Sequence, residues 1–396
     1  MSDIIKKPNH GLRVVALDMR DAIFAGVLSY ARTAGWLVSP TGFYGGGPRK
    51  IAKWWSADGI LVGGQLRLRG AVAAQWRSSR IPIVHCGGLP VKGLDQPAVS
   101  LDWRQAGRMP AVHLIERGFR QLAYCYMGNS PWVNDELAGA QAAAAAANCT
   151  VHVLDWNREY RRSPSPSRAN LRRWMGKSLA ALPKPLGLLV DDDWTALEAV
   201  EACRERGLTV PDEVAVVGIG NSEVFCENSP IPLSSVDLDY PRLGREAAVI
   251  LDKLMQGGPR AKQPVVIPPR AVVCRRSSDI MASEHPEVAK ALRHMWLNCG
   301  NVALDVPGIV SVTAMSKTGL NLAFRKHLNR SIGRLLLEIR LKRAQELMAT
   351  TDLKMRQIAA RCGFLAANTL RSVLLRETGM GPRAWRQKNA LSPLPR

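Results

Sequence analysis

Between residues 12 and 221 the chain repeats one pattern: a short apolar run closing on Gly, Asp or a neighbouring polar residue, then a longer stretch in which apolar positions recur every three or four residues. The short runs are "LRVVALD" (12–18), "DGILVGG" (58–64), "IPIVHCGG" (81–88), "QLAYCYMG" (121–128), "TVHVLDW" (150–156), "PLGLLVDDD" (185–193) and "VAVVGIGN" (214–221). Apolar runs of this length bounded by turn residues predict buried strands. Stretches such as "DAIFAGVLSYARTAGW" (21–36), and the passage in which "AVSLDW" runs on into "RQAGRMPAVHLIERGF" (98–119), carry the helical period. Strands alternating with helices predict parallel sheets covered by helices on both faces. Such sheets bind ligands at the carboxyl ends of their strands.

The alternation ends in "QGGPRAKQPVVIPPRAVVCRRSSDIMASEHPE" (256–287), which gathers Pro, Gly and Ser. A domain boundary is expected within 276–286, giving a first domain over 1–275, a linker, and a second domain over 287–396. Beyond the boundary no run has strand alternation, and an all-α unit is predicted. "RRSPSPSR" (161–168) is expected to be an exposed loop, and the alanines at 142–147 a helix.

Two passages of the helical part are built alike: "VPGIVSVTAMSKTGLNLAFRKHL" (306–328) and "LKMRQIAARCGFLAANTLRSVLLRETG" (353–379). Each has a short helix, a turn and a longer helix. Ser316 suits the N-cap of the first long helix, where a hydroxyl satisfies free amides. Gly363 can take the positive φ that a tight turn requires. Leu320 and Phe324 form one buried face against Ile309 and Val310; Phe364, Leu370 and Leu374 form the other against Ile358 and Ala359. "LLLEIRLKRAQELM" (335–348) is an amphipathic helix able to hold both units together. The expected solvent faces carry Lys317, Thr318, Asn321 and Arg325 in the first unit, and Asn368, Thr369, Arg371, Ser372 and Arg376 in the second. Asn pairs with adenine, Thr meets a base edge or the thymine methyl, and Arg or Lys reaches guanine or phosphate.

Charge sharpens this picture. The formal net charge is +21, and from residue 284 onward there are 19 Lys and Arg against 7 Asp and Glu. A basic excess concentrated in one unit favours a polyanionic partner, nucleic acid or an anionic membrane surface. The bland alternative is a solvated helical bundle that contacts a protein partner, and the duplicated helix-turn-helix pattern favours double-stranded DNA over it. No apolar run approaches the roughly 18 residues of a membrane span, and the start, "MSDIIKKPNH", lacks a signal-peptide core. The eight cysteines stand singly with no CxxC pair. That spacing suits reduced cytoplasmic thiols and offers no metal site. No cofactor and no catalytic residue is expected.

The stretch "RLKRAQELMATTDLKMRQIAARCGF", with the closing "TGMGPRAWR", resembles the AraC/XylS-type DNA-binding domain over 290–388. The resemblance implies that 316–325 and 367–376 are two recognition helices. It places Thr318 and Asn321 toward bases in the first, and Asn368, Thr369 and Ser372 in the second. Leu370 and Leu374 stand where that family usually has Phe, Ala366 where a Ser would cap, and Asn329 where a turn Gly is usual.

"SLDW" (100–103), "VDDDWTALEAVEACRERGLTVPDEVAVVGIGN" (190–221) and "PLSSVDLDYPRLGREAAVILDKLMQG" (232–257) resemble, by order and spacing, the LacI/GalR-like, periplasmic-binding-protein fold over about 11–275. This implies two α/β lobes, chain crossings near 119, 239 and 263, and a ligand between the lobes. It places Arg20, Asp102, Trp132, Asn134, Glu136, Asp192, Trp194 and Asn221 near the cleft. Indole faces stack on sugar rings and Asp or Asn binds paired hydroxyls, so the implied effector is a sugar or sugar derivative. Glu136 stands where relatives usually have Arg, and Gly220 where Asp is usual. An acid in place of a bidentate cation changes what a pocket accepts. A different sugar, an amino-bearing ligand and a silent pocket all stay open. For each Trp the alternative is core or hinge packing, and for Asp192 it is capping the helix that begins "WTALEAV".

The two resemblances together imply a cytoplasmic, ligand-responsive transcription regulator that works as a homodimer on DNA and meets RNA polymerase if it activates. Two rivals remain: a constitutive DNA binder whose front domain is inert, and a sugar-acting enzyme. The enzyme reading is thin, because "GIGN" lacks the third Gly of a dinucleotide turn and no GxSxG elbow is present. "DDD" at 191–193 could hold a hard cation only if its oxygens converged.

Overall fold

A computed structural model describes residues 11–17, 19–41, 57–63, 80–87, 96–127, 130–160, 167–260, 263–283 and 285–389. The chain start and most of the expected loop at 161–168 lie outside the described residues.

The first lobe contains β1 (Arg13–Leu17), α1 (Asp21–Ala34), β2 (Leu37–Thr41), β3 (Gly59–Gly63), β4 (Ile83–Cys86) and β5 (Ala98–Leu101). The chain then enters the second lobe with α2 (Trp103–Glu116), β6 (Gln121–Tyr126), α3 (Val133–Ala146), β7 (Thr150–Asp155) and α4 (Trp156–Tyr160). That lobe continues through α5 (Arg168–Ala181), β8 (Leu186–Val190), α6 (Asp193–Glu205), β9 (Val214–Ile219), α7 (Glu223–Asn228) and β10 (Ser234–Asp237). Helix α8 (Tyr240–Met255) and β11 (Val265–Ile267) return to lobe one, and β12 (Ala271–Val273) goes back to lobe two. The strand orders are β11-β5-β4-β3-β1-β2 and β12-β10-β9-β8-β6-β7. All pairings are parallel except β10 with β12. Strands β3, β8 and β9 are buried along their whole length, as strands covered on both faces must be. Strand β2 tolerates Pro40 because it lies at a sheet edge, where a missing N–H breaks no ladder.

The crossings fall at Asp102, at Leu238–Asp239 and at 268–270. The middle one agrees with expectation; the others were expected at 119 and 263. Helix α2 packs on α3 and on the second sheet, so the chain has already changed lobes before it begins. The crossings are tied to one another. The Asp102 amide donates to the Ile267 carbonyl at 2.9 Å and the Arg270 amide to the Asp237 carbonyl at 2.8 Å. The Asp239 amide donates to Oδ1 of Asp237, two residues earlier, at 2.9 Å, in a left-handed turn with φ 52°.

The helical unit contains α9 (Pro286–Asn298), α10 (Val306–Ser311), α11 (Lys317–Leu328), α12 (Ile332–Thr350), α13 (Met355–Arg361), α14 (Ala367–Thr378) and α15 (Pro382–Asn389). One apolar core joins Ile309, Leu320 and Phe324 to the first half of α12; another joins Ile358, Phe364, Leu370 and Leu374 to its second half. The Ser316 hydroxyl accepts from the Gly319 amide at 3.1 Å, while Ala366 supplies no side-chain cap to α14. Asn329 and Gly379 close the two long helices in the same left-handed conformation, with φ 54° and 69°.

The stretch expected as linker is not a free tether. Ser277 pairs through its backbone with Val216 and Pro232, and Ile280 and Ala282 belong to the core of lobe two. Met281 packs against the core around α9 and α11. Arg293 of α9 meets Asp212 of lobe two at 3.4 Å.

Gly363 holds the two halves of the helical unit in register. Its φ is 72°, and a Cβ there would lie 2.2 Å from the Cys299 carbonyl oxygen and 2.6 Å from Nε of Arg340. Arg340 donates to the carbonyls of Cys299, Asn301 and Leu304 at 2.8–3.0 Å, so it cannot move aside cheaply. Gly363→Ala is therefore expected to cost more than the roughly 1–2 kcal/mol of a left-handed non-glycine residue. Calorimetry of the full chain should show this as a lowered transition for the helical unit.

Candidate functional site

The carboxyl ends of the two sheets face each other beside the crossings. Arg20 lies just before α1, and its guanidinium sits 5.5 Å from the ring centroid of Tyr240, the first residue of α8. Burial raises the Tyr240 pKa to about 12, with Arg20 opposing and Asp193, Glu136 and Asp192 reinforcing the shift. Tyr240 is thus where the cation of lobe one meets the acids of lobe two. Trp132 stacks on Trp103, with centroids 4.8 Å apart and planes at 12°. Asn134 is exposed, and Trp194 is half-buried with Arg168 5.9 Å from its centroid.

Several polar candidates already have protein partners. Asp102 caps α2 by accepting from the Gln105 amide at 2.9 Å, and Asp192 caps α6 by accepting from the Thr195 amide at 2.7 Å. Asn221 Oδ1 accepts from Arg275 at 3.0 Å. The three aspartates at 191–193 diverge rather than converge on a cation. Asp191 accepts from the Met127 amide, and Asp193 is buried, accepting from the Ser222 amide at 2.7 Å and the Ser235 hydroxyl at 2.5 Å. Gly220, with φ 125°, leaves room for this carboxylate: a Cβ there would lie 3.2 Å from Asp193 Oδ2.

Glu136 corrects the sequence reading. It is 0% exposed and lies on the buried stripe of α3 with Val133, Gly139, Ala140 and Ala143, because the helix turns this position toward the sheet. The Tyr124 hydroxyl donates to its Oε2 at 2.5 Å. Burial pushes the Glu136 pKa well above the ordinary carboxylate value, against the Tyr124 hydrogen bond and with help from Asp191, Asp192 and Asp135. The carboxyl is enclosed by protein, with Tyr124 on Oε2 and Oε1 buried without a hydrogen-bond partner among the described residues. Trp103, Tyr240 and Tyr124 were not singled out from sequence, although Trp103 closes the "SLDW" motif.

In the helical unit the two long helices expose matching stripes. Lys317, Thr318 and Arg325 are exposed on α11, and Asn368, Thr369, Arg371, Ser372 and Arg376 on α14. Asn321 is a second correction. It is half-buried and its Oδ1 accepts from the Ile332 amide at 3.3 Å, tying α11 to the start of α12. The side chain serves that helix end, and Leu322 takes the open position. Arg371 donates to Asn368 Oδ1 at 3.3 Å, which orients the second stripe. Arg334 of α12 grips Glu377 of α14 with two bonds of 2.9 and 2.6 Å. Arg334, first, and Arg376 hold the Glu377 carboxyl down from 4.5 to about 2.

These features match known proteins. Residues 111–278 match the profile of a periplasmic binding protein-like domain, and 309–388 that of a helix-turn-helix domain. The chain is 28% identical over 293 residues to the xylose operon regulatory protein of Haemophilus influenzae, covering 73% of this chain and 74% of that one. It is 26% identical over 345 residues to the Escherichia coli K12 protein of the same name, covering 85% and 86%. In sequence the chain is similar to these xylose operon regulatory proteins over most of its length. Its fold agrees along the length: a structure of the xylose-binding transcription activator xylR superposes with a TM-score of 0.59 at 20% identity, covering 97% of this chain and 100% of that one. A CelR–cellobiose complex superposes with a TM-score of 0.54 at 21% identity, covering 69% and 86%. The chain therefore pairs a periplasmic-binding-protein-like front domain with an AraC-type helix-turn-helix unit, and it is a DNA-binding transcription regulator.

The Glu136 position yields a pH test. Its folded pKa lies above the unfolded one, so the stability it contributes is complete below about pH 4.5 and is lost as pH rises through the folded value. Glu136→Gln should match the parent near pH 4 and melt at a higher temperature at pH 8. Equal melting temperatures at pH 8 would show that burial does not hold the acid neutral.

Proposed function

We propose that this chain is a sugar-responsive transcription activator. The carrying observation is that one chain joins a two-lobed cleft to two helices with exposed polar stripes, through a seam packed on lobe two. The neutral ligand of such a cleft would lie among Arg20, Asp102, Trp132, Asn134, Asp192, Trp194 and Asn221, with Trp103 and Tyr240 completing the wall. Because Glu136 is buried and bonded to Tyr124, the acid at this position gives no reason to expect a cationic ligand. The names of the homologues favour a pentose, and their role favours genes of carbohydrate use.

Residues 1–275 form the sensor in this reading, 276–286 the connection and 287–396 the DNA-binding domain. Lys317, Thr318, Arg325, Asn368, Thr369, Arg371, Ser372 and Arg376 contact double-stranded DNA, and Asn321 positions the first helix. The protein acts in the cytoplasm by binding rather than catalysis, as a homodimer, and meets RNA polymerase at the promoter. No helix among the described residues is long and apolar enough to cross a membrane. Ligand closes the lobes and favours one disposition of the paired DNA-binding domains. Shifting such a balance from 1:99 to 99:1 takes about 5.5 kcal/mol of differential affinity.

Thermal unfolding of the full chain against pentoses, hexoses, amino sugars and uronic acids tests the sensor. At a hundred times its dissociation constant a true ligand stabilises by about 2.7 kcal/mol. Trp103→Ala should lose most of that shift, and a flat panel on folded protein would sink the sugar reading. For the DNA face, Arg325→Ala should weaken binding to every duplex and reduce the salt slope by about one. Unchanged salt dependence would remove Arg325 from the phosphate contacts.

A further inference from the structure

Helices α11 and α14 are equivalent at a constant offset of fifty residues, from Lys317 and Ala367 at their starts to Asn329 and Gly379 at their left-handed ends. Three exposed positions one turn apart run along the same face of each: Thr318, Leu322 and Arg325 in the first, Asn368, Ser372 and Leu375 in the second. Leu322 is 60% exposed and Leu375 is 54% exposed. A single exposed leucine is ordinary on a protein surface. These two differ in standing at the centre and at the end of the stripes that carry the DNA-facing polar groups, flanked by Thr318 and Arg325 or by Ser372 and Arg376. Asn321, the residue next to Leu322, is turned away to the Ile332 amide and leaves the central position to the leucine.

We propose that Leu322 and Leu375 are specificity-determining residues, each reading the 5-methyl group of a thymine in the major groove. Of the base-edge groups in that groove, the thymine methyl is the apolar one, and an aliphatic side chain is its complement. The leucine occupies the second stripe position in α11 and the third in α14, so the two units place their thymines at different points of their half-sites. This rests on the recognition-helix reading above.

The test uses the full chain and a duplex enriched from a randomised pool. Each thymine of that duplex is replaced in turn by uracil, which removes only the methyl. One replacement in the first half-site should weaken the parent about three- to tenfold, the scale of losing contact with one buried methyl or slightly more. Leu322→Ala should bind the unreplaced duplex as weakly as the parent binds that uracil duplex, and should no longer respond to the replacement. Leu375→Ala should do the same at one thymine of the other half-site. Both side chains are exposed, so neither substitution removes core packing. If Arg325→Ala weakens binding while the leucine variants respond to every uracil as the parent does, the leucine assignment is wrong and the recognition face stands. If Arg325→Ala also binds as the parent does, or no sequence is enriched, both fall.

Discussion

Three short crossings hold the front domain in its two-lobed form, and everything the cleft can do depends on them. The Asp102 amide on the Ile267 carbonyl, the Arg270 amide on the Asp237 carbonyl and the left-handed turn at Asp239 keep the three chains side by side. Each of these amide-to-carbonyl bonds ties one crossing to the next, and a typical one contributes about 0.5–1.5 kcal/mol. Tyr240 follows the middle crossing directly, so any change there is felt at the place where Arg20 faces the acids of lobe two.

The helical unit solves a related problem by different means. Its two cores are separate, and α12 contributes apolar residues to both. A single helix through two cores would still allow twisting. Arg340 removes that freedom by spanning three carbonyls at the end of α9 and the loop beyond it, with Gly363 leaving the space for it. Arg334 adds a bidentate grip on Glu377. Ala366 leaves α14 without the side-chain cap that Ser316 gives α11, so the second helix relies more on these tertiary contacts.

Much of this was legible in the chain. Alternating periods gave away the strands and helices of the front domain, and the repeated short-helix, turn, long-helix pattern marked the DNA-binding unit. The crossings were harder, since the apolar face of α2 says that it packs on a sheet but not on which one. The third was displaced because the three residues of β11 sit inside a Pro-rich run that reads as loop. Glu136 was placed at the cleft by the fold resemblance, as the position where relatives usually carry Arg; that it is fully buried against Tyr124, twelve residues earlier, is a tertiary fact that no local pattern announces. Asn321 and Leu322 show the reverse error. Residue type and motif position suggested the first as the DNA-facing residue, while the helix register leaves it half-buried and the second exposed.

The segment from Ser277 to Ala282 belongs to both neighbours at once. Its serines and Ile280 complete lobe two, and Met281, between Ile280 and Ala282, packs against the core of the helical unit. The two halves of this chain are thus not interchangeable modules joined by string. A chimera cut ahead of this segment would leave one sheet without its last core residues, whereas a cut after Ala282 would leave Met281 with the wrong partner. Recombination between regulators of this build has to carry the joint along with lobe two and rebuild the surface that receives it.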